Sequence, residues 1–148
     1  MTLPISHIMR TKLVFCEENS SLKSLAEMLL DEEVGSVIVN RGEESVGLVT
    51  NRDILRAAFE GMDFVKATAG QIMGQPLAAC DADSSLEDAL QMFKQTGRNR
   101  LVITREGKTI GVLKQSVAQR FKGIAGMYQF SPRTRSLPFR RGSGSTLS

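Results

Sequence analysis

Apolar residues fall in two rhythms along this chain, and the same pair of rhythms occurs twice. Leu22, Leu25, Ala26 and Leu29 keep the i, i+3, i+4, i+7 spacing of one buried helical face, with Ser20 or Ser21 placed to cap its start. SVIVN (36–40) then changes to a dense β-branched run, short enough for a buried strand. RGEE makes a polar turn with a glycine, VGLV a second short strand, and a further helix follows. The second passage runs the same way. Leu86, Ala89, Leu90 and Phe93 repeat the helical stripe, and Ser84 and Glu87 have capping-box spacing. RLVIT, REGK and IGVL then supply strand, turn and strand, again before a helix.

Laying HIMRTKLVFCEENSSLKSLAEML over QIMGQPLAACDADSSLEDALQMF makes the repeat explicit, at an offset of 64 with no gap. Held over 8–56 and 72–120, that offset gives 11 identities in 49 positions, among them Ile8/Ile72, Met9/Met73, Cys16/Cys80, Gly47/Gly111 and Arg56/Arg120. The shared serine pair and glycine fall at structural punctuation in both copies. Each unit therefore reads β-α-β-β-α over about 55 residues, a size at which one copy alone buries too little apolar surface to stand well. The two copies are expected to pack together in a mixed α/β (α+β) fold, with repeat 1 at 4–60, repeat 2 at 68–121 and a basic tail at 122–148.

Two tandem units of this kind, each preceded by a short segment ending in methionine (ISHIM, AGQIM), resemble a CBS-domain pair, or Bateman module. GLVTNRDIL is similar to the closing signature of such a domain. The resemblance covers about residues 4 to 121 and is more specific in the first copy. It implies a non-enzymatic regulatory module binding an adenosyl compound (AMP, ADP, ATP or S-adenosylmethionine) in a cleft between the repeats. It also implies association as a homodimer, four repeats forming a flat disc.

Within GLVTNRD, Thr50 and Asp53 admit two readings. Threonine at a helix N-cap with an acid three residues on is a capping box. The second copy has Lys114 and Val117 at these places and still reads as a helix, so the pair is dispensable for helix formation there. In proteins that this chain resembles, the aspartate accepts hydrogen bonds from both ribose hydroxyls and the threonine lies beside sugar and phosphate. A carboxylate, with two acceptor oxygens, suits a vicinal diol. The helix start adds N–H groups and positive dipole for a phosphate. Capping and binding are compatible. The resemblance further places the base between Leu48 and Leu77–Ala78, and the phosphate within reach of Asn99, Arg100 and Arg52. Arg100 leads, because a guanidinium offers a planar fork to phosphate oxygens. Arg98 departs from the family pattern, where a small or apolar residue lines the base; it either lends its stem or reshapes the pocket. The bland alternative for Arg98 and Arg100 is a solvated turn. The reciprocal cleft would use Leu13, Val14, Ser36, Lys114 and Val117 and has no diol acceptor, so it is degenerate or adapted to something else.

Charge changes the picture in one respect. The net +3 is uneven: Lys122, Arg133, Arg135, Arg140 and Arg141 sit in 122–148 without an acid, leaving 14 basic against 16 acidic residues in 1–121. The body is mildly acidic, so the high isoelectric point does not describe a nucleic-acid-binding face on the folded part. The tail, with Met, Tyr and Phe among its arginines, reads as a segment able to order on a partner protein or on single-stranded nucleic acid. A protein or nucleic-acid interaction module with a vestigial nucleotide site is accordingly the second functional reading. No apolar run approaches the roughly 18 residues of a membrane span, and MTLPISHIMRTK lacks the apolar core of a secretory signal. A cytoplasmic protein is expected. Cys16 and Cys80 read as small buried hydrophobes, and His7, the one histidine, as a surface residue. No metal spacing, phosphate-binding loop or nucleophile–base pair is evident, so neither a metal nor a catalytic cofactor is expected.

Overall fold

The computed structural model describes residues 4–130, with side-chain surroundings described for 4–123. The first repeat consists of β1 (Phe15–Glu17), α1 (Leu22–Glu32), β2 (Ser36–Arg41), β3 (Glu44–Thr50) and α2 (Asn51–Phe59). The second opens on a short helix, α3 (Ala69–Ile72), and continues with β4 (Ala79–Asp81), α4 (Leu86–Thr96), β5 (Arg100–Arg105), β6 (Lys108–Lys114) and α5 (Gln115–Phe130). A 3-10 turn at Ile5–His7 precedes β1 as α3 precedes β4.

Each repeat makes one three-stranded sheet, ordered β1-β2-β3 and β4-β5-β6. The first two strands of each are parallel, joined through the crossover helix, and the last two form an antiparallel hairpin. Both hairpins carry a register shift at the same place, Val39/Asn40 and Ile103/Thr104. The helical stripes face inward as their spacing requires. Leu22, Leu25 and Leu29 are buried on α1; Leu86, Ala89 and Phe93 are buried on α4.

The N-cap of α1 is Ser21, whose Oγ accepts from Ser24 N at 3.1 Å. On α4 the box is Ser85–Asp88, one residue later than the Ser84–Glu87 pair singled out above. Both serines have an acid three residues on. Ser84, however, is committed to the preceding turn, its N–H donating to Asp81 O at 3.0 Å while its carbonyl accepts from Ile5 N. The final helix also differs from expectation, because α5 runs through Phe130 rather than giving way to a tail at 122. Between Pro76 and Pro132 the chain has no proline, and Val117, Phe121 and Ile124 continue an apolar spacing past Gly123.

The two repeats interlock by exchanging their entry segments. Ile5, in the 3-10 turn of the first repeat, is buried in the second repeat's core with Leu86, Phe93 and Leu101. Ala69 and Met73, at the start of the second repeat, are buried in the first repeat's core with Leu25, Val37 and Val49. Backbone hydrogen bonds fix both exchanges. Arg10 and Val112 bond each other at 2.8 and 2.9 Å, and Leu48 and Gly74 do so at 3.2 and 2.9 Å. Ile38, Leu48, Val102 and Val112 then meet as a shared core between the sheets, flanked by Leu13 and Leu77.

The repeated glycines belong to this interlock. A Cβ on Gly47 would lie 2.5 Å from Met73 Sδ and 3.0 Å from Gly74 O, and a Cβ on Gly111 would collide with Met9 in the same way. The pairs Met9/Met73 and Gly47/Gly111 thus recur because each methionine packs over the other repeat's glycine. Cys16 and Cys80 are buried in equivalent strands and free of any disulfide. Burial pushes the Cys16 thiol up to about 11, against a smaller lowering from Ser20. His7 is exposed.

Candidate functional site

Where β3 ends and α2 begins, Thr50 is the N-cap and Asp53 the N3 residue of a complete capping box. Asp53 N donates to Thr50 Oγ1 at 3.3 Å, while Asp53 Oδ2 accepts from Thr50 N at 2.8 Å and from Thr50 Oγ1 at 3.1 Å. The box engages one carboxylate oxygen. Among the described residues nothing donates to the other, Oδ1, so an acceptor is left over. Thr50 is 8% exposed, the one buried polar side chain among the described residues. The helix start offers less to an anion than its sequence suggests. Asn51 N–H is spent on Gly35 O at 3.0 Å and Asp53 N–H on Thr50, leaving that of Arg52 in the first turn.

A cleft of about 500 Å3 opens over this corner, lined by Leu48, Thr50, Arg52, Asp53 and Arg56 from the first repeat. Gly74, Gly97, Arg98, Asn99, Arg100 and Gln115 close it from the second. Six residues named from sequence therefore meet here: Leu48, Thr50, Arg52, Asp53, Asn99 and Arg100. Leu77 and Ala78 do not line the cleft. Leu77 packs beside the shared core and faces the opposite groove with Phe15, while Ala78 packs against the second repeat's core. Arg98 accounts for the difference: its Nη2 donates to Pro76 O at 3.1 Å, and its Nη1 would lie 3.1 Å from a Cβ on Gly74. Its guanidinium lies across the segment that leads to Leu77, reshaping that side of the cleft. Arg56 was missed by sequence reasoning. Its signal was present, because a residue three positions after Asp53 shares its helical face.

The charge of the cleft is one carboxylate among four arginines. The ion pairs formed by described residues, Lys12–Glu32, Arg41–Glu18 and Arg105–Asp83, all lie outside it. Burial holds Arg100 below the usual arginine range, Asp53 acts in the opposite direction, and Arg10 adds to the lowering. A cationic wall facing a carboxylate with a free oxygen can hold a phosphate at one end and hydroxyls at the other.

Arg100 also lines a second cleft, of about 260 Å3, related to the first by the internal two-fold. Leu13, Val14, Ser36 and Lys114 line it as expected, together with Arg10, Lys12, Gly35, Asn51 and the exposed Glu33. Val117 does not; it packs on the second repeat's core. The helix α5 forms although Lys114 and Val117 replace the capping pair. Among the described residues no cluster of His, Cys, Asp and Glu could hold a metal ion, and no helix is long and apolar enough to cross a membrane.

The chain is thus a tandem pair of interlocked β-α-β-β-α units with a polar cleft at each junction. The CBS domain family model matches residues 5–60 and again 69–116, and the chain belongs to that family as a tandem pair. Such pairs are generally regulatory or sensory modules rather than catalysts. An uncharacterised protein of Methanocaldococcus jannaschii is 26% identical over 111 residues, covering 74% of this chain and 39% of that protein. One of Methanopyrus kandleri is 24% identical over 115 residues, covering 76% and 59%. The chain thus spans less than two thirds of the length of each of these two relatives. A CBS domain protein of Thermoplasma acidophilum has the same fold, with a TM-score of 0.75 at 14% identity over 95% of this chain and 81% of that one.

Proposed function

We propose that the chain is a non-enzymatic sensor that binds an adenosine nucleotide (AMP, ADP or ATP) in the cleft bounded by Thr50, Asp53 and Arg100. One observation carries this reading: Asp53 keeps Oδ1 unengaged at one side of a cleft whose remaining charges are Arg52, Arg56, Arg98 and Arg100. The carboxylate accepts from the ribose diol, the arginines take the phosphates, and Leu48 supplies an apolar contact for the base. The cap does not compete with this role, since it occupies Oδ2 alone. Membership of the CBS family supports the same reading, as a module of this class works by passing ligand occupancy to a regulated protein partner.

Assembly belongs to the proposal. On α2, Leu55 is 70% and Phe59 91% exposed, and on α1 Leu30 is 77% exposed. Leu55 and Phe59, one turn apart, form an apolar stripe on the outer face of α2, which suits a symmetric homodimer about a two-fold axis. Calorimetric titration of the purified chain with AMP, ADP, ATP and S-adenosylmethionine tests the ligand assignment. Saturable binding of an adenine nucleotide near one per chain is expected, weaker for adenosine than for AMP. A chain that binds none of the four is no nucleotide sensor. The alternative is a protein or nucleic-acid interaction module acting through the basic tail at 122–148, whose four arginines, at 133–141, lie outside the described residues. It is favoured only if nucleic acid binds while nucleotides do not.

A further inference from the structure

The second cleft is more than a faded copy of the first. It gathers Arg10, Lys12, Arg100 and Lys114 around about 260 Å3, half the volume of its counterpart. Lys12 is occupied, with Nζ 3.5 Å from Glu32 Oε1 and donating to Glu32 O at 2.6 Å. The other three cations come from three separate segments and have no carboxylate of the described residues within ion-pair distance. Glu33, the one acid in the lining, is exposed at the end of α1. Where the first cleft offers Thr50 and Asp53 to a diol, this one offers an ammonium and an apolar side chain turned into the core.

Arg100 occupies space that a glycine leaves open. A Cβ on Gly35 would lie 2.5 Å from Arg100 Nη2, 3.4 Å from its Cζ and 3.6 Å from Asn51 Nδ2, so the Nη2 end of the guanidinium sits against a glycine, with the Asn51 amide close by. Ser36 and Asn51 add neutral donors to the lining. The cations also act on one another: burial, then Arg100, Arg10 and Arg120, hold the Lys114 ammonium below the usual lysine range. Like charges drawn together without a counter-ion destabilise the folded state, and an anion bound among them reverses the sign of the effect.

We propose that the second cleft is a site for a compact polyphosphate, two or more linked phosphoryl groups recognised without a ribose diol. Arg10, Arg100 and Lys114 are its charged contacts. A single carboxylate or monophosphate leaves part of this charge unanswered, whereas linked phosphoryl groups reach all three cations. The guanidiniums offer forks to phosphate oxygens, and Lys114 a point charge between them. The site extends beyond the nucleotide reading of the first cleft, as its ligand needs neither base nor sugar.

Calorimetry with inorganic pyrophosphate and the full chain tests the proposal. Expected is one pyrophosphate per chain, with affinity lowered at least about tenfold by Lys114→Gln and by Arg10→Gln, as loss of one charge-assisted contact implies. The Asp53→Ala protein should bind pyrophosphate at least as tightly as the wild type, because the change removes negative charge near Arg100. Unliganded Lys114→Gln should melt at or above the wild-type temperature, which a merely structural lysine would not allow. Absence of pyrophosphate binding overturns the proposal. So does binding that survives Lys114→Gln but is lost in Arg52→Gln, which places the anion in the first cleft. The two readings fail separately: Asp53→Ala addresses AMP, Lys114→Gln addresses pyrophosphate.

Discussion

Replacing Gly47 by alanine tests the interlock on which both clefts depend. Gly47 lies in β3 beside the register shift and has no positive φ, so the residue is small for reasons of space rather than left-handed conformation. The added methyl would sit 2.5 Å from Met73 Sδ, 2.9 Å from Met73 Cγ and 3.0 Å from Gly74 O. The methionine can rotate away, but it is buried in the first repeat's core and has little room. The carbonyl cannot move alone, because Gly74 and Leu48 bond each other in both directions. Overpacking of this kind costs about 1–3 kcal/mol, and the backbone contact places Gly47→Ala toward the upper end. For a folded body of this size that is a fall in melting temperature of about 5–15 °C. Thermal unfolding followed by circular dichroism, at fixed chain concentration, measures it. A double-mutant cycle with Met73→Ala isolates the cause. Met73→Ala alone leaves a cavity costing about 2–5 kcal/mol. The methyl of Gly47→Ala would partly fill that space, so the double variant should be more stable than additivity predicts by about 1 kcal/mol or more. Strict additivity, or an unchanged melting temperature for Gly47→Ala, refutes the interlock.

Other consequences are simpler. Ser85→Ala removes the N-cap of α4 and should cost about 1 kcal/mol in urea unfolding, whereas Ser84→Ala should cost less. Phe59→Asp should convert a dimer to a monomer by light scattering at micromolar concentration, and a wild-type chain already monomeric there contradicts the assembly. Because the folded Cys16 thiol titrates near 11, above its ordinary 9.0, the unfolded state releases its proton first. This thiol therefore makes stability fall between about pH 9 and 11, a slope that Cys16→Ala should remove. With pyrophosphate saturating the second cleft, AMP affinity should fall while that of adenosine stays put, as both anions draw on Arg100.

Much of this was legible in the chain because it is written in periods. The stripes of α1 and α4, the paired strands and the turn glycines follow from local spacing, and they fixed the repeat unit before any packing was known. The exchange of entry segments was not legible in the same way. Ile8/Ile72, Met9/Met73 and Gly47/Gly111 stood out as identities, but the reason they recur is a contact between residues far apart in sequence. The Ser84–Ser85 ambiguity was equally local, and it was decided by a turn that claims Ser84 for Asp81 and Ile5. At the site, the resemblance to the CBS family pointed to Thr50, Asp53, Asn99 and Arg100, which meet in one cleft because their backbone positions are set by strand ends. It failed for Leu77 and Ala78, since the conformation of one long side chain, Arg98, decides what that segment can face. The shared use of Arg100 by both clefts likewise depends on where a guanidinium lies, on the bare face of Gly35.

The most direct test of the central claim is the affinity of Asp53→Ala for AMP beside that of the wild type. Loss of the diol acceptor removes charge-assisted hydrogen bonds contributing roughly 1.5–3 kcal/mol each, so AMP binding should weaken by about tenfold to several hundredfold. The unliganded variant should also melt a few degrees lower, because the buried Thr50 N–H, 2.8 Å from Asp53 Oδ2, loses its acceptor. Titrations run well below the melting temperature keep the two effects apart. A variant that melts lower but binds AMP as tightly as the wild type would show that Thr50 and Asp53 cap a helix and hold no ligand.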